Sequence, residues 1–150
     1  MSRYTFRPAV RTDLPLLRAW LRTPEAVRWW GDPREQAELL EADLDEPLMT
    51  MRIVCCDGEP FAYAQHYDVH SWPQSHFAHL PPGSRAIDAF IGEPNMLGRG
   101  HGSAFLRLLA EQLVAGGAPA VAIDPALDNL RARRAYEKAG FHGDAVADTA

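Results

Sequence analysis

The chain has 150 residues, of which 47% are hydrophobic and 23% charged, the proportions of a globular domain rather than of a collagen-like, disordered or disulfide-stapled chain. Fifteen Lys and Arg against 20 Asp and Glu leave a formal net charge of −5, which argues against nucleic acid as a partner and for cationic small molecules. No uncharged run approaches the ~20 apolar residues of a membrane span. Met1 opens directly into Ser2-Arg3-Tyr4-Thr5-Phe6 without an apolar signal core, so a cytoplasmic protein is expected. Neither repeat nor linker interrupts the chain, and residues 1–150 read as a single domain.

Tyr4–Pro8 reads as a first strand. Thr12 or Asp13 is placed to cap a helix that has Pro15 in its first turn and Leu16, Leu17, Trp20 and Leu21 along it. Trp29-Trp30-Gly31 breaks that pattern. Asp32-Pro33-Arg34-Glu35 then supplies a cap, a proline at the helix start and a reciprocal carboxylate, with Ala37, Leu40 and Leu44 as the buried stripe. Met49–Cys56 and Glu59–His66 are strands joined by Asp57-Gly58, a pair suited to a turn that needs two positive φ angles. The adjacent Cys55 and Cys56 point to opposite faces of their strand and are expected to stay reduced.

Periodicity vanishes from Tyr67 to Ser84, and structureless loops of that length are usually functional. Ala86–Ile91 resumes a strand. After Gly98-Arg99-Gly100-His101-Gly102 a helix begins, carrying Phe105, Leu108, Leu109 and Leu113, and Gly116-Gly117 ends it. Ala120–Ile123 is a short apolar strand. Asp128 or Asn129 caps a last helix, with Ala132, Ala135, Tyr136 and Ala139 on one side and Gly140 after it. The order of elements is that of a mixed α/β sheet.

The glycine loop lies between a strand and a helix, where bare backbone can approach a ligand and the helix start attracts an anion. Its spacing is neither the dinucleotide fingerprint nor the P-loop. Leu97-Gly98-Arg99-Gly100-His101-Gly102-Ser103 resembles the acyl-coenzyme A loop of the GCN5-related N-acetyltransferases (GNAT). Ile123-Asp124-Pro125, Asn129-Leu130-Arg131-Ala132 and Tyr136-Glu137-Lys138-Ala139-Gly140-Phe141 look like that family's fifth strand and following helix. Trp29-Trp30-Gly31, Tyr63-Ala64-Gln65 and Ile87-Asp88 make the chain most similar to the aminoglycoside 6'-N-acetyltransferases. The likeness runs from about Tyr4 to Phe141. It departs at Leu97, where the family's loop begins with Gln or Arg, and at the end, where relatives continue into a final strand beyond the position of Ala150.

The resemblance implies an α/β (α+β) GNAT fold: about six strands in a mixed sheet, about four flanking helices, and a splay at the acetyl-CoA cleft. It implies direct acetyl transfer from acetyl-CoA to an amine, with no metal. The coenzyme side then comprises Phe90, Ile91, Leu97, Gly98, Arg99, Gly100, His101, Gly102 and Ser103. Asn129 is implied to bond the pantetheine arm, and Tyr136 to lie near the sulfur and protonate the leaving thiolate. Without the likeness, Asn129 is adequately explained as a cap and Tyr136 as core.

Such a reaction needs a base for the arriving ammonium. Asp88, in a strand just before the glycine loop, is the first candidate, with partial burial expected to raise its pKa. The competing reading is a strand-end Asp in turn hydrogen bonds. Asp124, ending the next strand, is the alternative base or a second ammonium ligand, unless it serves its own turn. Trp29, Trp30 and Tyr67 are assigned to the acceptor side, which of the two tryptophans forms the wall being open. Glu35, Glu38, Glu41 and Asp45 make an acidic stripe, either a solvated face or a guide for a polycation. His70, His76 and His79 lack the company of a tetrahedral metal site and are read as lining the long loop. Two other functions stay open: acetylation of a lysine- or hydroxylysine-type siderophore precursor or another polyamine, and a non-catalytic acyl-CoA-binding module. Monomers and homodimers both occur in the family.

Overall fold

In the computed structural model, which describes residues 3–72, 74, 77–123 and 129–141, five strands hydrogen-bond in the order β1-β2-β3-β4-β5. They are β1 (Tyr4–Pro8), β2 (Thr50–Cys56), β3 (Glu59–Asp68), β4 (Arg85–Ile91) and β5 (Val121–Ile123). The helices are α1 (Leu14–Leu21), α2 (Pro24–Trp30), α3 (Pro33–Asp43), α4 (His101–Ala115) and α5 (Leu130–Lys138). β1 runs antiparallel to β2 with Tyr4 opposite Cys56 and Pro8 opposite Arg52. β4 and β5 are parallel, Arg85 opposite Val121 and Ile87 opposite Ile123. The sheet is therefore mixed, as expected, with five strands among the described residues rather than about six. Among the described residues there are five α-helices rather than about four, because α2 occupies the stretch where sequence periodicity is absent.

The chain divides into two units, Met1–Gln65 with Ala89–Arg99 and His66–Asp88 with Gly100–Ala150. The first is built on a core of Leu14, Leu17, Trp20 and Leu21 from α1, Leu40 from α3, and Ile53, Tyr63 and Phe90 from the sheet. Asp32 caps α3 as its sequence demands, its carboxylate accepting the Glu35 N–H at 3.0 Å, and Ala37 and Leu44 lean on the same core. The β2–β3 turn has φ of 50° at Asp57 and 86° at Gly58, the doubly left-handed geometry that pair was chosen to meet. Cys55 and Cys56 are free and buried.

Asp13 departs from its expected role. It stands at the N-cap of α1 but makes no cap hydrogen bond. Its carboxylate instead takes two bonds from Arg7, at 2.8 and 2.9 Å, and one from the Val10 N–H at 2.9 Å. A bidentate guanidinium outcompetes a single amide for this buried carboxylate.

The buried side chains of the second unit include Ile87 of β4, Phe105, Leu106 and Leu109 of α4, and Tyr67, Val69 and Phe77. β3 extends to Asp68, so Tyr67 belongs to a strand, and the irregular stretch starts at Val69. That loop is closed at its base by the Val69 N–H bonded to the Ser84 carbonyl at 2.9 Å and braced by His70 Nε2 at 2.8 Å from the Leu80 carbonyl.

Candidate active site

The glycine loop follows β4 through a short 3-10 turn, Pro94–Met96. Gly98 and Gly100 have φ of +72° and +84°, and a Cβ at either would meet nothing within 4 Å. These glycines are thus required by backbone conformation, and the space beside them is open to a ligand. α4 starts directly after Gly100, and its first own backbone bond joins the Ala104 N–H to the Gly100 carbonyl at 3.2 Å. The earlier N–H groups of a helix have no intrahelical acceptor and carry the positive end of the dipole. Such a helix start attracts an anion. Ser103 turns its hydroxyl back, donating to the Gly100 carbonyl at 3.1 Å, which steadies the turn. Arg99 is exposed, while Leu97, His101 and Gly102 are half-buried.

α5 carries the other signature residues. Asn129 Oδ1 accepts the Ala132 N–H at 3.1 Å, so the capping role is real and leaves the side-chain NH2 as a donor. Tyr136 lies two turns further on the same helical side, about 10 Å along the axis. Its ring is half-buried and meets Phe141 edge-on at 6.3 Å. Asp88 is half-buried in β4 next to the fully buried Ile87. Asp124 and His76 lie outside the described residues.

Of the two adjacent tryptophans, Trp30 packs edge-on against Phe90 at 4.7 Å and Tyr63 at 6.2 Å. Trp29 is covered by the Arg28 guanidinium, 4.6 Å from its ring centre. Phe90 is itself 9% exposed and part of the first unit's core, and Ile91 is half-buried. Tyr67 is buried, stacked edge-on with Trp72 at 5.4 Å, and its hydroxyl accepts from Gln74 Nε2 at 3.2 Å. The aromatics expected on the acceptor side thus come with partners that residue spacing did not reveal.

Residues missed at the sequence level include Arg85 and His66. Arg85 donates to His66 Nδ1 at 2.8 Å and to its carbonyl at 3.2 Å. A guanidinium only donates, so Nδ1 is unprotonated and Nε2 carries the proton in a neutral ring. Burial pushes the Arg85 guanidinium down from its usual range.

The acidic stripe of α3 does not stand alone. Arg18 bonds Glu41 at 3.3 Å, and Arg11 pairs with Glu41 and Asp45. A cavity of about 380 Å³ beside it is lined by Arg18, Arg22 and Arg34 as well as Asp32, Glu38 and Glu41. Three guanidiniums offset three carboxylates in the lining of that cavity. Among the described residues, no three His, Cys, Asp or Glu side chains are grouped to hold a metal ion, and none of the helices is long and apolar enough to cross a membrane.

A family model described as an acetyltransferase (GNAT) domain matches residues 9–149. The chain belongs to the GNAT acetyltransferase family. It is 32% identical, over 157 aligned positions, to aminoglycoside N(6')-acetyltransferase type 1 of Klebsiella pneumoniae, covering 97% of this chain and 77% of that one. Its fold matches AAC(6')-Ib solved with parmomycin and acetyl-CoA at a TM-score of 0.83 and 32% identity, over 94% of this chain and 84% of that one. AAC(6')-Ib solved with coenzyme A and kanamycin matches at 0.81 and 33%, over 93% and 84%. The GNAT assignment bears out the mixed-sheet fold and the reading of the chain as an acetyl-CoA-dependent N-acetyltransferase.

Proposed function

We propose that this chain transfers the acetyl group of acetyl-CoA directly to a primary amine of a cationic small molecule, the 6'-amine of an aminoglycoside. The observation that carries this is the likeness, over nearly the whole chain, to enzymes solved with acetyl-CoA and with aminoglycosides. Acetyl-CoA supplies the activated acyl group as a thioester.

The rest is assigned to the chain's own residues. The N–H groups around Gly98–Ser103 hold the diphosphate, a role suited by the left-handed glycines and the start of α4. Leu97 contributes apolar contact where other family members have a polar side chain. Phe90 and Ile91 serve through backbone, since the Phe90 ring is engaged with Trp30. Asn129 donates its side-chain NH2 to the pantetheine arm while its oxygen caps α5. Asp88 attracts the ammonium and takes its proton, and the neutral amine attacks the thioester carbon. Tyr136 gives its phenolic proton to the thiolate as the C–S bond breaks, and the proton shed by the acylated nitrogen restores the phenol. Asp124 remains the alternative base, and Trp29, Trp30 and Tyr67 the acceptor-side aromatics. A net charge of −5 favours a cationic acceptor. Dependence on acetyl-CoA, a metabolite of the cell interior, makes the cytoplasm the proposed place of action.

The test is thiol release from acetyl-CoA with a kanamycin-type acceptor, a lysine-type acceptor and none. Release with the aminoglycoside, and mass-spectrometric or NMR location of the acetyl on its 6'-nitrogen, is expected. Release only with the lysine-type amine would move the substrate class to siderophore precursors. Coenzyme binding without turnover on any amine would leave a binding module. Asp88→Asn is expected to lower turnover about 10²–10⁴-fold, the usual size of a lost proton-transfer group, and to remove the rise of activity with pH that a titrating base produces.

A further inference from the structure

The glycine loop is reached from β4 by only a few residues, and their anchorage is unusual. Just past Ile91, the N–H groups of Gly92 and Glu93 converge on one acceptor, the Phe61 carbonyl, at 2.8 and 3.1 Å. Two residues against one is the pattern of a β-bulge, a device that re-aims the chain. From there, Met96 N–H bonds the Glu93 carbonyl at 2.9 Å and Leu97 N–H bonds Pro94 at 3.2 Å. The path from Glu93 to Leu97 is thus fixed by its own backbone, and its direction depends on how Gly92 and Glu93 are held.

They are held by Trp20. A Cβ on Gly92 would fall 2.1 Å from the Cγ and Cδ2 atoms of Trp20, so the indole lies flat against bare backbone. The indole Nε1–H donates to the Glu93 carboxylate at 2.7 Å. Trp20 is 2% exposed and sits in the core beside Leu17 and Leu21, which fixes its ring. One rigid side chain therefore grips both residues of the bulge, one by contact and one by a charge-assisted bond, among the stronger hydrogen bonds available to a protein.

We propose that Trp20 and Glu93 are positioning residues for the coenzyme: their bond aims the segment that carries Gly98 and Arg99. This rests on reading the glycine loop as the coenzyme cradle. Neither residue touches the coenzyme; they act through Gly92 and the turn Pro94–Met96.

The experiment measures coenzyme A affinity of the full chain by titration calorimetry, with melting temperature and steady-state kinetics on the same samples. Glu93→Leu removes the acceptor, Trp20→Phe removes the donor and keeps an aromatic ring, and Glu93→Gln keeps an oxygen that can accept. Glu93→Leu and Trp20→Phe are each expected to weaken coenzyme A binding about tenfold, the size of one such bond, and to raise the acetyl-CoA KM alike. Turnover at saturation should change far less. The double variant should be no worse than the single ones, since both cut the same bond, and Glu93→Gln should bind nearly as tightly as the wild type. Glu93 is half-buried, so its variants report even if Trp20→Phe fails to fold. Lower melting temperatures with unchanged coenzyme A affinity would overturn the proposal and leave a packing contact. A wild-type chain that binds no coenzyme A would overturn the cradle reading itself, a different and separately visible failure.

Discussion

The indole of Trp30 meets the ring of Phe90 edge to face, centroids 4.7 Å apart and planes at 65°, while its neighbour Trp29 is stacked under Arg28. Successive helical positions point about 100° apart, so two adjacent tryptophans have different duties. Trp30 anchors the end of α2 to the sheet. Trp29 offers a ring face to cations, and its own chain supplies one.

Trp30→Ala should therefore cost about 2–4 kcal/mol, somewhat below the range for fully buried aromatic truncations because the ring is only half-buried. Trp29→Ala should cost about 1 kcal/mol or less, the size of an exposed cation–π contact. Urea denaturation of the two variants checks the contrast. Equal losses would mean that the Phe90 contact is not what holds α2.

Gly100 lies in the left-handed region at φ +84° with open space where a Cβ would point. Gly100→Val should then act in two separable ways. Strain from a β-branched residue in that conformation costs about 1–3 kcal/mol of stability. On the proposed reading of the loop the isopropyl group also blocks the diphosphate, and the loss of one or two charge-assisted bonds should weaken coenzyme A binding about ten- to a hundredfold or more. Calorimetric titration beside thermal melting separates the effects. Destabilisation with undiminished affinity would mean an ordinary turn.

Much of this arrangement was legible in the residues because the signals were local. Asp57-Gly58, Asp32 with Glu35, and Asn129 with Ala132 each concern groups within three residues of one another, and each does what its chemistry demands. α2 escaped notice although Thr23 precedes it and Pro24 opens it, because its seven residues bury only Ala26 and so draw no apolar stripe. Asp13 misled because the choice between capping α1 and binding Arg7 is settled by where β1 places the guanidinium. Glu93 was invisible as a partner of Trp20, since 73 residues separate them. The pairing of the acidic stripe with Arg11 and Arg18 was hidden for the same reason: α1 and the turn before it meet α3 only in the folded chain.

Tyr136 shares one side of α5 with Asn129, its ring half-exposed beside Phe141. If its hydroxyl supplies the proton for the thiolate, Tyr136→Phe keeps the ring packing and removes only the donor. Turnover should fall about 10²–10⁴-fold, with coenzyme A affinity and melting temperature nearly unchanged. Single-turnover kinetics on the acetyl-CoA-loaded chain give the chemical step directly. A variant that turns over at the wild-type rate would return Tyr136 to a packing role.

Acid should loosen the chain partly through Asp13. The two bonds from Arg7 are the main reason its carboxyl is held below the usual carboxylate range, burial opposes them, and the Val10 N–H adds to them. A depressed folded-state pKa means that this stabilisation is complete above the ordinary carboxylate pKa of about 4 and is lost as pH falls through the lower, folded value. Asp43 works in the opposite sense. Burial chiefly, with Glu46 nearby, raises its pKa, so its ionisation costs stability above its unfolded pKa, a cost relieved by acid. Asp13→Asn should accordingly destabilise the chain at neutral pH by about 1–2 kcal/mol, discounted for the partly exposed Arg7. The wild-type advantage should shrink as pH falls from about 4 toward the lower, folded value, at which the wild-type carboxyl also becomes neutral. Denaturant titrations of both chains from pH 7 to pH 3 measure it. An offset independent of pH would assign the loss to the altered side chain's packing, with no part played by the charge on Asp13.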